Sequence, residues 1–98
     1  METSQTEISI EPEIDKLVPG FCAARKKDLE NIAVFLSKND FTSVAKICHT
    51  IKGIARPYGF PTLETLARQL ETSAKAGDLE MSQQLLDQAK QYLQRYYQ

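Results

Sequence analysis

The only histidine of the 98-residue chain, His49, is followed and preceded by basic residues at helical spacings. An imidazole can act as a nucleophile or a proton carrier near neutral pH. Residues three or four positions apart lie on the same side of a helix. If this segment is helical, Lys46 and Gly53 therefore share the side of His49. Lys52 lies one turn after His49, and Arg56 lies one turn beyond Gly53.

The local sequence surrounds His49 with cations, Lys46, Lys52 and Arg56, and offers it no carboxylate. Positive neighbours disfavour a protonated imidazole, so we expect a neutral, nucleophilic ring. The same cations would stabilise anionic oxygens on a group that the ring attacks. A lone histidine at the edge of an apolar stripe is most often an ordinary surface residue, and these charges by themselves leave that interpretation open.

Gly53 is the second unusual feature of this segment. Glycine inside a helix costs about 1 kcal/mol relative to alanine. The missing side chain, one turn from His49, would let the backbone of another molecule approach the ring. The alternative is that the glycine permits close packing between helices of the same chain.

The hydrophobic pattern from Pro12 onward is helical, and no segment alternates with the period of a strand. A short helix is predicted over residues 13–18, because the residue before Pro19 disfavours helical backbone. Four longer helices follow, over residues 19–38, from 41 to about 57, from 61 to 76 and from 79 onward. Their apolar residues recur at spacings of three and four, at Phe21, Leu29, Ile32 and Leu36, at Phe41, Val44, Ala45, Cys48, Ile51 and Ala55, at Leu63, Leu66, Ala67, Leu70 and Ala74, and at Leu85, Leu86, Ala89, Leu93 and Tyr96.

Short turns separate these helices. Asn39 ends the first helix and Asp40 caps the second. Gly59 and Gly77 are suited to the left-handed conformation that ends a helix, and Asp78 caps the last one. Helices joined by so few residues pack as antiparallel neighbours. The sequence therefore predicts an all-α fold over residues 11–98, an antiparallel up-down-up-down four-helix bundle with a short extra N-terminal helix, preceded by a flexible N-terminus at residues 1–10.

Length and composition exclude several classes of protein. A chain of this length has room for one domain. Its longest uncharged stretch, residues 17–24, is too short to cross a membrane. Residues 1–15 carry five acidic residues and no basic one, unlike the basic start of a signal peptide. We therefore expect a cytoplasmic monomer that does not bind membranes.

The two cysteines, Cys22 and Cys48, each lie in an apolar segment and are expected to be buried free thiols. Together with His49 they are the only soft or imidazole ligands, too few for a zinc site. We therefore expect no metal in this chain.

The segment His49-Thr50-Ile51-Lys52-Gly53, followed by Gly59-Phe60, resembles the H-x-hydrophobic-K-G…G motif of histidine-containing phosphotransfer (HPt) domains. The resemblance extends over nearly the whole chain, through LVPGF, RKKDL, PTLETLARQLE and the Ala76-Gly77-Asp78 break. The fold of that family is the four-helix bundle. Between the two glycines this chain departs from the small residues usual in the family.

The resemblance implies that His49 accepts a phosphoryl group from the aspartyl-phosphate of a receiver domain and passes it to another receiver. Nε2 would carry the group, since it projects furthest from the helix. Lys52 would pair with the phosphoryl oxygens, and Gly53 would leave room for the receiver. The partner surface would further include Lys46, Arg56 and Gly59.

The same resemblance implies the partners and cofactors. The receivers would belong to response regulators or hybrid histidine kinases and would bring the Mg²⁺, so this chain would need no cofactor. The sequence has no glycine-rich phosphate loop, which indicates a phosphoryl-accepting intermediate rather than an enzyme with its own nucleotide site.

Two other functions remain open at this stage. The chain could dock to receivers or kinases without accepting phosphate, which would leave His49 unmodified. Alternatively, residues 16–60, with eight basic against three acidic residues, could form a nucleic-acid surface. The net charge of −1 and the spread of the bases around the helices argue against nucleic acid as a partner.

Overall fold

The computed structural model describes residues 18–96, which form four α-helices and no strand. The helices are α1 (Val18–Ser37), α2 (Phe41–Ala55), α3 (Pro61–Lys75) and α4 (Leu79–Leu93). The predicted flexible N-terminus and residues 13–17 of the predicted short helix lie outside the described residues. Val18, placed at the end of that helix, instead begins α1. Pro19 fits there because the N–H groups of a first helical turn have no partner within the helix.

The three turns end their helices in the same way. Asn39, Gly59 and Gly77 have φ angles of 56°, 90° and 69°. In each turn the N–H of the following residue donates to a carbonyl five positions back, as from Asp78 to Ser73 at 2.9 Å. This is the Schellman motif, which favours glycine or asparagine at the left-handed position. The predicted helix ends at these three residues are confirmed.

The first residues after two of these turns cap the next helix. The side chain of Asp40 accepts from the backbone N–H of Ser43 at 3.1 Å, and that of Asp78 accepts from Met81 at 3.0 Å. Such bonds satisfy N–H groups that have no partner inside the helix. Connections of three to five residues leave α1 to α4 antiparallel in sequence order, and α1 also packs against α4.

The core consists of the apolar stripes that the sequence predicts. Of those residues, all are buried except Phe41 and Tyr96, which are half-buried against the core. Cys22 and Cys48 are buried free thiols, as predicted. Burial raises the pKa of the Cys48 thiol to about 12, so this neighbour of His49 is chemically inert. None of the helices in residues 18–96 is long and apolar enough to span a membrane.

Aromatic rings fix the turn that follows α2. Phe21 of α1 stacks on Tyr58 and Phe60, with ring centroids 4.5 and 5.2 Å apart. Tyr96 meets the ring of Phe60 edge-on at 5.0 Å. The chain between α2 and α3 is thereby anchored to α1 and to the residues that follow α4.

Candidate functional site

His49 lies on the outer side of α2, at the edge of the buried stripe. The preceding residue, Cys48, is completely buried, whereas 71% of the His49 side chain is exposed. The backbone carbonyl of Lys46 accepts a hydrogen bond from Thr50, whose side chain is also exposed. The ring therefore lies on a regular helix surface, where the sequence predicts it.

A carboxylate from the neighbouring helix faces the ring. Glu71 of α3 is only 6% exposed, and its Oε2 lies 3.4 Å from His49 Nδ1. Its Oε1 lies 2.8 Å from Lys52 Nζ, and Lys75 Nζ lies 3.2 Å from Oε2. The expectation that His49 has cations but no carboxylate beside it was wrong. The local sequence of α2 does not contain the helix that supplies Glu71.

Two lysines stabilise the negative charge on Glu71. The hydrogen bond from Lys52 lowers the pKa of Glu71, and against the opposing effect of burial Lys75 lowers it further. Glu71 is therefore an anion at neutral pH. A buried carboxylate with two cations in contact is the arrangement that makes burial of a charge tolerable.

The position of Glu71 distinguishes the two nitrogens of the His49 ring. Glu71 faces Nδ1 at 3.4 Å, and because a carboxylate can only accept, this position favours the neutral tautomer with its proton on Nδ1. In that tautomer Nε2 carries the lone pair. The site can therefore hold the imidazole in one tautomer and present one nucleophilic nitrogen to a partner.

A groove of about 700 Å³ runs between α2 and α3 beside this ring. Ala45 and Ala74 are buried beneath it, and Phe41 lies at one end. Lys46 from α2 and Lys75 from α3 line it together with His49. The exposed edge of the imidazole is thus bordered by an apolar floor and by basic side chains from both helices.

A family model, Hpt domain, matches residues 16–98, which include all four helices. The chain belongs to the Hpt domain family. Members of this family are phosphorelay carriers rather than enzymes in the usual sense, and their partners are receiver domains. Neither the curated proteins nor the solved structures contain a match to the chain.

In this Hpt domain, Gly53 borders open space. It is exposed on α2, and a Cβ built on its backbone would meet no atom within 4 Å apart from its own helix. Packing inside the bundle therefore does not require glycine at this position. The alternative left open by the sequence, close contact between helices, does not apply.

Arg56 forms an ion pair with a side chain of α3. Its Nη2 and Nε lie 2.6 and 3.0 Å from Oε1 of Glu64, and Arg68 Nη2 lies 3.9 Å from the same oxygen. The hydrogen bond from Arg56 lowers the pKa of Glu64. Arg56 therefore belongs to a second ion-pair group across α2 and α3, two turns along from His49. Lys46, by contrast, is exposed at the groove and has no ion pair among residues 18–96.

Gly59 differs from the expectation that it contacts a partner. It is buried, and its φ of 90° requires a residue without a side chain. The turn between α2 and α3 accounts for this glycine. Within the described residues no group of three or more histidine, cysteine or acidic side chains could hold a metal ion.

Two residues of the site, Glu71 and Lys75, were not predicted from the sequence. Glu71 follows Leu70 and precedes Ala74 by one turn, on the most regular apolar stripe of the chain. A carboxylate on a buried face needs cationic partners. That position was a signal for a polar contact, and Lys75, four residues further, was a cation within reach on the same side of the helix.

We expect Gly53→Ala to raise the free energy of unfolding by about 0.4–1 kcal/mol, because alanine is the better helix residue and the added methyl meets nothing. Gly77→Ala is the matched control. Its added methyl also meets nothing, but its φ of 69° disfavours alanine, so stability should fall by about 1–2 kcal/mol. Urea unfolding of both variants measures the difference. A destabilised Gly53→Ala variant would show that the glycine is structural.

Glu71→Gln should destabilise the protein at neutral pH, because it removes the anion that pairs with Lys52 and Lys75. A carboxylate whose pKa is lowered by folding contributes stability above its unfolded pKa, about 4.3, and loses it as the pH falls through the folded value. The advantage of the wild type over Glu71→Gln should therefore be constant at neutral pH and shrink in acid. Thermal unfolding of both proteins across this range measures it. An advantage that does not change with pH would contradict the assignment of Glu71 as the paired anion.

Proposed function

We propose that His49 receives a phosphoryl group on Nε2 from the aspartyl-phosphate of one receiver domain and passes it to the aspartate of another. The contact of 3.4 Å between Glu71 and His49 Nδ1 supports this proposal most directly, because it favours a ring whose lone pair is on Nε2. The exposure of the ring and the empty surface at Gly53 also support it.

In the forward step, the Nε2 lone pair forms a bond to phosphorus while the bond from phosphorus to the donor carboxylate oxygen breaks. The bonding electrons leave with the donor aspartate. The ring keeps its proton on Nδ1 and gains one positive charge. Glu71 stabilises that charge from the Nδ1 side, as a carboxylate beside a charged imidazole does in the active sites of enzymes. The return step reverses these bonds on a second receiver.

Positioning and charge account for most of such a transfer. Lys52 supplies a fixed positive charge near the phosphoryl oxygens while its ammonium holds Glu71. Gly53 leaves the surface open for the receiver, and Lys46 and Arg56 lie at opposite ends of that surface. The receiver contributes the Mg²⁺ and the acidic pocket. We propose that the chain acts in the cytoplasm. It requires neither a cofactor nor a nucleotide site of its own.

His49→Gln should abolish phosphoryl acceptance from a receiver charged with acetyl phosphate. The fold should remain, because most of the His49 side chain is exposed. Thr50→Ala, a change at the next exposed position, is the matched control and should still be labelled. The measurement is the acid-labile, base-stable label on the protein. Label retained by His49→Gln would refute the assignment, because the chain has no second histidine. An unlabelled wild type that still binds receivers would indicate the docking module instead.

Gly53→Leu should block docking while leaving the bundle intact. A bulky side chain placed into a close interface costs about 1–3 kcal/mol, which corresponds to a loss of about 5- to 150-fold in transfer rate. Gly20→Leu is the matched control, since Gly20 is also exposed in a helix and also borders open space, but lies on α1. Transfer at limiting receiver concentration is the measurement. Equal rates for the two leucine variants would show that receivers do not approach over Gly53.

A further inference from the structure

Two groups share one oxygen of Glu71. His49 Nδ1 lies 3.4 Å and Lys75 Nζ 3.2 Å from Oε2, whereas Lys52 contacts Oε1 at 2.8 Å. The Lys75 side chain is 67% exposed and that of Lys52 only 30% exposed. Lys75 is therefore the more distant and the more solvated of the two cations. It is the one that can leave Glu71 at the smaller cost.

Phosphorylation of His49 would change the charges on both sides of the ring. The ring gains a positive charge, which strengthens its attraction to Oε2 of Glu71. Before phosphorylation, the positive charge at this oxygen comes from Lys75. The phosphoryl group brings up to two negative charges to the exposed edge of the ring. Lys75 lines the groove beside that edge, so a rotation of its exposed side chain brings the ammonium toward the new anion.

We propose that Lys75 exchanges partners when His49 is phosphorylated, leaving Oε2 of Glu71 and binding the phosphoryl oxygens, while Lys52 remains on Oε1. This inference rests on the proposed function. Glu71 then has two cationic partners in both states, Lys52 with Lys75 before transfer and Lys52 with the charged ring after it. Lys75, which lies outside the H-x-x-K-G segment, thus stabilises the phosphorylated form directly.

Lys46 is the other exposed lysine of the groove, but it differs from Lys75 in one respect. It has no ion pair among residues 18–96, so phosphorylation would not release it from anything. It lies on the same helix as His49, three residues before it, whereas Lys75 approaches from α3. A partner exchange is therefore specific to Lys75.

The exchange can be observed without any receiver. Phosphoramidate, a small phosphoryl donor, modifies an exposed imidazole directly. We would record the Cε–Hε signals of the lysines by NMR in the full chain before and after this treatment, with assignments from the Lys75→Arg and Lys52→Arg variants. The signals of Lys75 should shift, and those of Lys52 should change less. A shift at Lys52 with Lys75 unchanged would overturn the proposal.

The second measurement is the equilibrium constant for transfer between a charged receiver and His49. Lys75→Gln should lower this constant by about two- to fivefold, because a pair with the doubly charged phosphoryl group is stronger than the shared contact with Oε2 that it replaces. Lys75→Arg should restore it. Lys27→Gln, a change at an exposed lysine of α1, is the matched control and should behave as the wild type.

An equilibrium that Lys75→Gln leaves unchanged would overturn the proposal, as would a defect that Lys75→Arg fails to restore. The two measurements also separate this inference from the proposed function. If no receiver transfers to the wild type, the proposed function fails, and the NMR experiment still decides whether Lys75 moves to the phosphoryl group.

Discussion

The burial of Glu71 constrains the rest of the site. A carboxylate that is almost removed from water must be surrounded by donors, and here Lys52 comes from α2 and Lys75 from α3. The pair with Lys75 lies within α3, but the pair with Lys52 crosses from α2 and forms only when the two helices have a matching offset along their axes. The same offset places Nδ1 of His49 against Oε2. A single buried charge therefore links the packing of α2 on α3 to the orientation of the imidazole.

The remainder of the bundle supports that offset. The left-handed glycine at position 59 and the aromatic contacts of Phe21 with Tyr58 and Phe60 fix the turn from α2 to α3. The ion pair of Arg56 with Glu64 connects the end of α2 to α3 at a second place. Because these contacts are already formed, binding a partner need not order the site first. A rigid helix surface is suited to a reaction that depends mainly on positioning.

The sequence predicted the fold well because each helix carries its own signals. The spacing of Leu63, Leu66 and Leu70 defines a buried face from one segment, and Gly77 with Asp78 marks a helix end locally. His49 and Gly53 were likewise identified from spacing within α2. The contacts of His49 could not be predicted in the same way, because they involve a second helix. Glu71 comes from 22 positions further along the chain, and helical spacing does not predict which residues of two helices meet.

One error follows directly from this limit. The local sequence offered no carboxylate to His49 and its neighbouring cations, because Glu71 and Glu64 reach His49 and Arg56 from another helix. Gly59 was assigned to a partner surface because it belongs to the motif, whereas its burial and its φ angle depend on the turn. Val18 belongs to the same helix as Pro19, so the proline does not end a helix between these two residues.

In the proposed site, Glu71 holds the imidazole with Nδ1 protonated and Nε2 free to react. Nitrogen-15 NMR of the His49 ring measures this directly, first in the neutral, unmodified ring and then after phosphorylation. We expect the proton on Nδ1 in the unmodified protein and coupling to phosphorus at Nε2 in the modified one. A ring protonated on Nε2, or a phosphoryl group on Nδ1, would contradict the account.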